Sequence, residues 1–279
     1  MKIIKTEKVF VKGADASFLS KEIHYNAQGK PVEIKEFDAE NYLVNHITIT
    51  YNSSGLPITE SYLYQKNTQE IFHYQYDENG DMTQMIQEYM DSSKSVTTYN
   101  RTGKVEEATT VDDEGELESR TVTTYNENGQ PLQILMFDEE NDLEEKQEFV
   151  YNEAGLVVQE KQSDNVGVLQ TTTYTFNEKN RLIAQKLIDG DEELSDIDWK
   201  FEYEELNENT LIQQVYSKGT TEFEFNSFTE EASFHKQEDF KLISKVTTTS
   251  DEDGRPLEVI TEEDSGIVQS VYEYTFWED

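Results

Sequence analysis

The chemistry-bearing side chains of this chain are few in type. Its four histidines are His24, His46, His73 and His235. The first three lie one, five and three residues before the tyrosines Tyr25, Tyr51 and Tyr76, so on extended strands they share one face, opposite those rings. Equivalent strands of a repeat are two ladder spacings, roughly 10 Å, apart. Ligands of one metal must come within ~2 Å of it. The histidines therefore read as solvated surface residues. Carboxylates are abundant, and Asp112-Asp113-Glu114-Gly115-Glu116, Asp189 to Glu193 and Asp251 to Gly254 loosely resemble calcium loops. None has the full EF-hand spacing with its terminal Glu. There is no phosphate-binding loop, no Gly-x-Ser-x-Gly and no cysteine nucleophile. The expectation is a chain without enzyme activity, cofactor or metal.

What must position the remaining residues is a repeat. An aromatic residue, Asn or Asp, two variable residues and Gly recur at Tyr25-Asn26…Gly29, Tyr51-Asn52…Gly55, Tyr76-Asp77…Gly80, Tyr99-Asn100…Gly103, Tyr125-Asn126…Gly129 and Tyr151-Asn152…Gly155. A seventh copy, Phe176-Asn177, carries Asn180 where Gly stands elsewhere, the next most tolerant residue for a positive φ. Degenerate copies at Tyr203, Phe225, Ser250 and Phe276 extend the register at a period of about 25 residues. The four prolines, Pro31, Pro57, Pro131 and Pro256, each fall two residues after a motif glycine. Proline is tolerated at the first residue of a strand, so all four mark the point where the chain leaves a turn. Asp38, Asp112, Asp138, Asp164 and Asp189, each 13 residues after its aromatic slot, mark a second turn half a repeat on.

Between the turns lie segments rich in Thr, Val, Ile, Tyr and Phe, such as Thr121 to Tyr125 and Leu169 to Phe176, which are strand compositions. The Asn or Asp side chain closes each turn on the backbone two residues on, and Gly takes the left-handed position of a hairpin with a bulge. The fold expected is all-β: an extended, curved antiparallel meander of about eleven ~25-residue β-hairpin repeats, forming one domain over residues 1–279. Residues 228–241 break the texture and are the candidate for an irregular insertion or short helix. Residues two apart before each turn, such as Ile49 and Tyr51 or Phe149 and Tyr151, put an aromatic stripe on one face. That face must curl inward or be covered by a second layer.

The run Tyr74-x-Tyr76-Asp77-x-x-Gly80 and its Tyr-Asn siblings resemble the YD repeat of bacterial Rhs-type polymorphic toxins and teneurins, whose arrays form a spiralling shell of hairpins. Most copies here carry Asn instead of Asp, and eleven repeats are too few for a closed, toxin-holding shell. A looser similarity links the chain to MORN-type repeats of antitoxin-like proteins. The resemblance implies a bacterial β-repeat scaffold from the neighbourhood of contact-dependent toxins.

Charge is the functional signal. The 279 residues carry a net charge of -36, nearly all of it beyond residue 70. Such a field repels nucleic acid and anionic membranes and attracts basic proteins. The absence of a membrane-length apolar run, a signal-peptide pattern and cysteine is read as a cytoplasmic protein. The expectation is a protein-binding scaffold, an immunity protein that neutralises a basic toxin by occlusion. The alternative is a structural or surface repeat protein binding glycan or host protein through its aromatic face. The acidic clusters proposed for partner binding are Asp112, Asp113, Glu114, Glu116 and Glu118; Glu139, Glu140, Asp142, Glu144 and Glu145; and Asp189, Asp191, Glu192 and Glu193.

Overall fold

A computed structural model describes residues 2–12, 17–64, 68–190, 196–219, 221–226, 231–236 and 239–277. Among these residues there is no helix. The first strands are β1 (Ile4–Lys12), β2 (Ser17–Tyr25), β3 (Pro31–Phe37), β4 (Leu43–Tyr51), β5 (Pro57–Tyr64), β6 (Gln69–Tyr76), β7 (Met82–Glu88) and β8 (Lys94–Thr102). The middle of the chain forms β9 (Val105–Val111), β10 (Leu117–Tyr125), β11 (Pro131–Phe137), β12 (Leu143–Tyr151), β13 (Val157–Ser163), β14 (Val168–Phe176) and β15 (Leu182–Asp189). Then come β16 (Ile197–Asn207), β17 (Thr210–Lys218), β18 (Thr221–Asn226), β19 (Glu231–Lys236), β20 (Lys241–Ser250), β21 (Pro256–Glu263) and β22 (Gly266–Phe276).

The turn chemistry is as the motif requires. In the turn after β4, the Asn52 amide donates to Leu56 O and the Gly55 amide donates back to Asn52 O, both at 2.9 Å. Asn52 Oδ1 accepts from the Leu56 amide at 2.9 Å, and Gly55 has φ +77°. The turns half a repeat away use the same device. Asp138 Oδ1 accepts from the Glu140 and Asp142 amides, and Asn141 takes the left-handed position at φ 62°. The ladder shifts register at the aromatic slot, as at Tyr51↔Pro57, Tyr125↔Pro131 and Tyr151↔Val157, which places a bulge beside each Gly turn. One copy departs. After Tyr99 the strand runs on to Thr102, which pairs with Val105 across a two-residue turn, Gly103-Lys104.

The expectation of an extended, open meander is corrected by the first and last strands. β1 pairs with β22 as well as with β2, through Glu7↔Tyr274 and Val9↔Tyr272, so the sheet closes on itself. The chain is a closed, antiparallel barrel of 20 strands. The physical reason lies at the edges. An open meander would leave two rows of unpaired N–H and C=O groups, and pairing the two ends satisfies both. Ten hairpins' worth of strands suffice to close the ring.

The remaining two strands stand apart. β17 pairs directly with β20, and β18 and β19 form a separate two-stranded sheet. Of the expected insertion at 228–241, residues 231–236 are therefore strand β19, and 227–230 and 237–238 lie outside the described residues.

The wall is a single layer. The surface area of 17996 Å² far exceeds the roughly 12,000 Å² of a compact protein of this mass, so both faces are wetted. No apolar residue among those described is fully buried. The tyrosine stripe has thus curled inward, as a half-shielded lining with no second layer among the described residues over it. Each strand packs against its ladder neighbours. Twenty strands spaced about 4.8 Å apart make a ring at least about 30 Å across between backbones, and side chains reaching about 5 Å from each wall leave roughly 20 Å of bore.

Candidate functional site

The two faces of the wall differ. The buried polar side chains among the described residues are Ser95 (6%), Thr97 (6%), Thr172 (5%) and Ser217 (2%). Through the pairs Tyr99↔Ala108, Thr121↔Ala108, Thr172↔Glu160 and Trp199↔Ser217 they belong to the same face as the tyrosines. Exposed strand residues, including Thr48, Gln75, Thr98, Val150 and Lys200, sit on the other face. Side chains crowd on the concave side of a closed sheet and splay on the convex side. The aromatic face accordingly lines the bore.

The outer face is a lattice of ion pairs. Lys8 meets Glu22 at 3.1 Å, Arg120 meets Glu107 at 3.0 Å, Lys218 meets Asp198 at 3.1 Å and Lys245 meets Glu262 at 2.7 Å. Lys35 and His46 both reach Glu33 at 2.8 Å, and this holds its carboxyl below the usual range, the lysine hydrogen bond being the largest cause. His24 is also within 3.8 Å of Glu33. No cluster of three metal-ligating side chains forms among the described residues.

The inner face is different in kind. Its carboxylates are met by neutral donors. Tyr25 donates to Glu7 at 2.9 Å, Tyr125 to Glu106 at 3.1 Å and Tyr174 to Glu160 at 3.2 Å. Glu60 accepts from Tyr62 at 2.8 Å and Tyr74 at 3.2 Å. Gln147 and Gln162 donate to Glu145, and Gln87 donates to Glu70. Glu36 and Glu205 are exceptions, Glu36 with Lys21 at 2.8 Å beside the Asn45 amide and Glu205, toward the rim, with Arg181 at 2.8 Å. Arg101 stands opposite Glu106 in the ladder but its guanidinium reaches Asp81, at 3.7 Å, and stacks 4.8 Å from the Tyr125 ring. Burial pushes the Tyr62 phenol up to about 12, helped by its bond to Glu60. Burial raises Tyr25 and Tyr74 further, with Glu7 and Glu60 adding to the effect. These phenols stay protonated and donating throughout the neutral range.

The sequence-derived sites map to one rim. Asp112 and Asp138 cap turns, Oδ1 of each accepting two backbone amides, so one oxygen of each carboxylate is already engaged. Asp113, Glu114, Glu116, Glu118, Glu139, Glu140, Asp142 and Glu144 are exposed at or beside those turns, and Glu145 turns to the inner face. Asp189 ends β15, and Asp191, Glu192 and Glu193 lie outside the described residues. Glu7, Glu60, Glu106 and Glu160 were not singled out by sequence. The signal for Glu60 was its spacing of two from Tyr62; for the others the face is set by cross-strand register.

No family model matches the chain, and no curated protein is similar to it. Solved structures that it resembles include the TcdB2-TccC3-Cdc42 complex, at TM-score 0.36 and 12% identity over 96% of this chain. The chain spans 18% of the length of that match. Porin-like proteins from Bacteroides uniformis and Bacteroides vulgatus match 99% of this chain at TM-score 0.34, with 10% and 7% identity over 98% and 99% of their own lengths. At such TM-scores the likenesses carry no functional inference.

Proposed function

We propose that this barrel is a non-enzymatic binding protein for a basic protein partner, specifically an immunity protein that neutralises a basic bacterial toxin by occlusion. One observation carries the reading. Much of the outer wall's charge is paired, whereas exposed turn carboxylates and the neutral-donor carboxylates of the inner wall carry negative charge that no cation cancels. A charge excess placed on rims and bore steers cationic partners toward the openings.

The aqueous, cytoplasmic setting belongs to the same proposal. A barrel wall facing lipid needs an apolar band ~25 Å tall. Here the outer face carries Lys8, Glu22, Lys35 and Lys200 within its strands, and the inner face carries Glu60 and Glu145. Neither face suits acyl chains.

The test is a pull-down from the source organism with the chain as bait, eluted by salt, followed by expression of each co-eluting basic protein with and without the chain. Toxicity that appears only without the chain is the expected result. Recovery of glycan or cell-wall material alone overturns the immunity reading in favour of a surface repeat protein.

A further inference from the structure

We propose that the inner wall is a docking surface for one extended arginine- and lysine-rich peptide segment, which enters the bore and lies along the tyrosine–glutamate lining. This deepens the binding reading and rests on it, since the segment would belong to the same basic partner.

Three properties of the wall point to that occupant. The first is room. Among the described residues no layer covers the aromatic face, and a bore of roughly 20 Å admits even a helix of about 10–12 Å diameter. The second is charge. No lysine or arginine among the described residues lies within ion-pair distance of Glu7, Glu60, Glu106 or Glu160, whose partners are phenols. A phenol satisfies an acceptor without cancelling its charge, so each carboxylate keeps its full attraction for a cation. Carboxylates of one sign around a bore walled by low-dielectric protein focus this attraction. The third is the rings. Arg101 over Tyr125 and Arg181 over Tyr203, at 4.8 and 5.4 Å, show that the chain's own guanidiniums already stack on this face. Tyr25, Tyr74 and Tyr174 carry no such cation among the described residues, and each stands beside one of the four glutamates. A guanidinium there meets a ring face and a carboxylate together, the pairing that favours arginine over lysine and both over neutral ligands.

The geometry also explains why the donors are tyrosines. A lysine or arginine in their place would fix the carboxylate and neutralise it. Tyrosine fixes it and leaves it charged.

The probe is a fluorescent oligo-arginine peptide, titrated at physiological ionic strength. Combined Glu7→Gln, Glu60→Gln, Glu106→Gln and Glu160→Gln substitution keeps an acceptor for each phenol and removes four inner charges. Combined Asp113→Asn, Glu114→Gln, Glu139→Gln and Glu140→Gln substitution removes the same charge from the rim. The inner variant is expected to weaken binding at least about tenfold more than the rim variant. Equal losses, or a larger loss from the rim, overturn the proposal. A second measurement uses the unmodified chain and is independent of whether the variants fold. Saturating peptide should protect the Tyr25 and Tyr74 rings from hydroxyl-radical oxidation read by mass spectrometry, and unchanged oxidation overturns the proposal. Failure here is separable from failure of the immunity reading. A toxin that binds the inner variant normally and loses affinity for the rim variant sinks only the bore. An oligo-arginine peptide held in the bore, with no toxic partner found, sinks only the toxin.

Discussion

Glu7, on the first strand of the ring, stands opposite Tyr274 on the last, and its carboxylate accepts the Tyr25 hydroxyl at 2.9 Å. The first two strands and the last, far from them in sequence, thus meet at one carboxylate on the seam. Deleting residues 1–12 removes β1 and leaves β2 and β22 as two free edges. The expected outcome is association through those edges, seen as dimers or larger species by size-exclusion chromatography with light scattering. A shortened chain that stays monomeric with an unchanged melting midpoint would show that the seam contributes little.

Gly129 has φ +76° and nothing within 4 Å of where a Cβ would stand. Gly129→Val therefore meets backbone strain alone, and should cost about 1–2 kcal/mol in urea unfolding. Gly129→Asn should cost less than half as much, because Asn180 holds the same turn position at φ 58°.

Tyr151 donates its hydroxyl to Pro131 O at 2.7 Å, as Tyr51 does to Pro31 O. Tyr151→Phe leaves the ring in place and removes that bond, at an expected cost of about 1 kcal/mol. Because the ring lines a wet bore, Tyr151→Ala should cost about 2 kcal/mol, short of the ~3–5 kcal/mol of a closed core.

Alkali should unfold the barrel through its phenols. Tyr25, Tyr62, Tyr74 and Tyr274 all have raised pKa values, burial being the largest cause in each. The fold favours the neutral phenol, so this stabilisation is complete below the unfolded value near 10. It is lost as pH rises from there through the folded value, about 12 for Tyr62. Melting midpoints should be level to about pH 10 and fall above it. Absorbance at the tyrosinate band should show these phenols ionising late and together with unfolding.

If the rim steers a basic partner, reversing Glu139, Glu140 and Asp142 to lysine should slow association several-fold while dissociation changes little. Stopped-flow rates that are independent of salt would leave those charges only a solubilising role.

Much of this architecture was legible. The Tyr-Asn-x-x-Gly spacing placed the turns, and the prolines placed the strand starts at Pro31, Pro57, Pro131 and Pro256, because both signals are local backbone chemistry. Closure was not legible, since nothing local in Ile4 to Lys12 says that its second edge will meet β22. The departure of β18 and β19 was equally hidden, because Phe223 and Phe225 keep the strand texture of the repeat while β17 passes over them to β20. The inner glutamates were masked by abundance. Among 59 acidic residues, only cross-strand register distinguishes Glu106, which shares the face of Tyr125, from Glu107, which pairs outward with Arg120.

Pairing the two ends ties calibre to copy number. Each further hairpin inserted into such a ring would widen it by about 3 Å, and each one lost would narrow it by the same step. Duplication or loss of a single 25-residue unit therefore resizes the aperture without redesigning any strand. A lineage of such rings could match guests of different girth by counting repeats, with the lining of each added unit free to diverge for its own occupant.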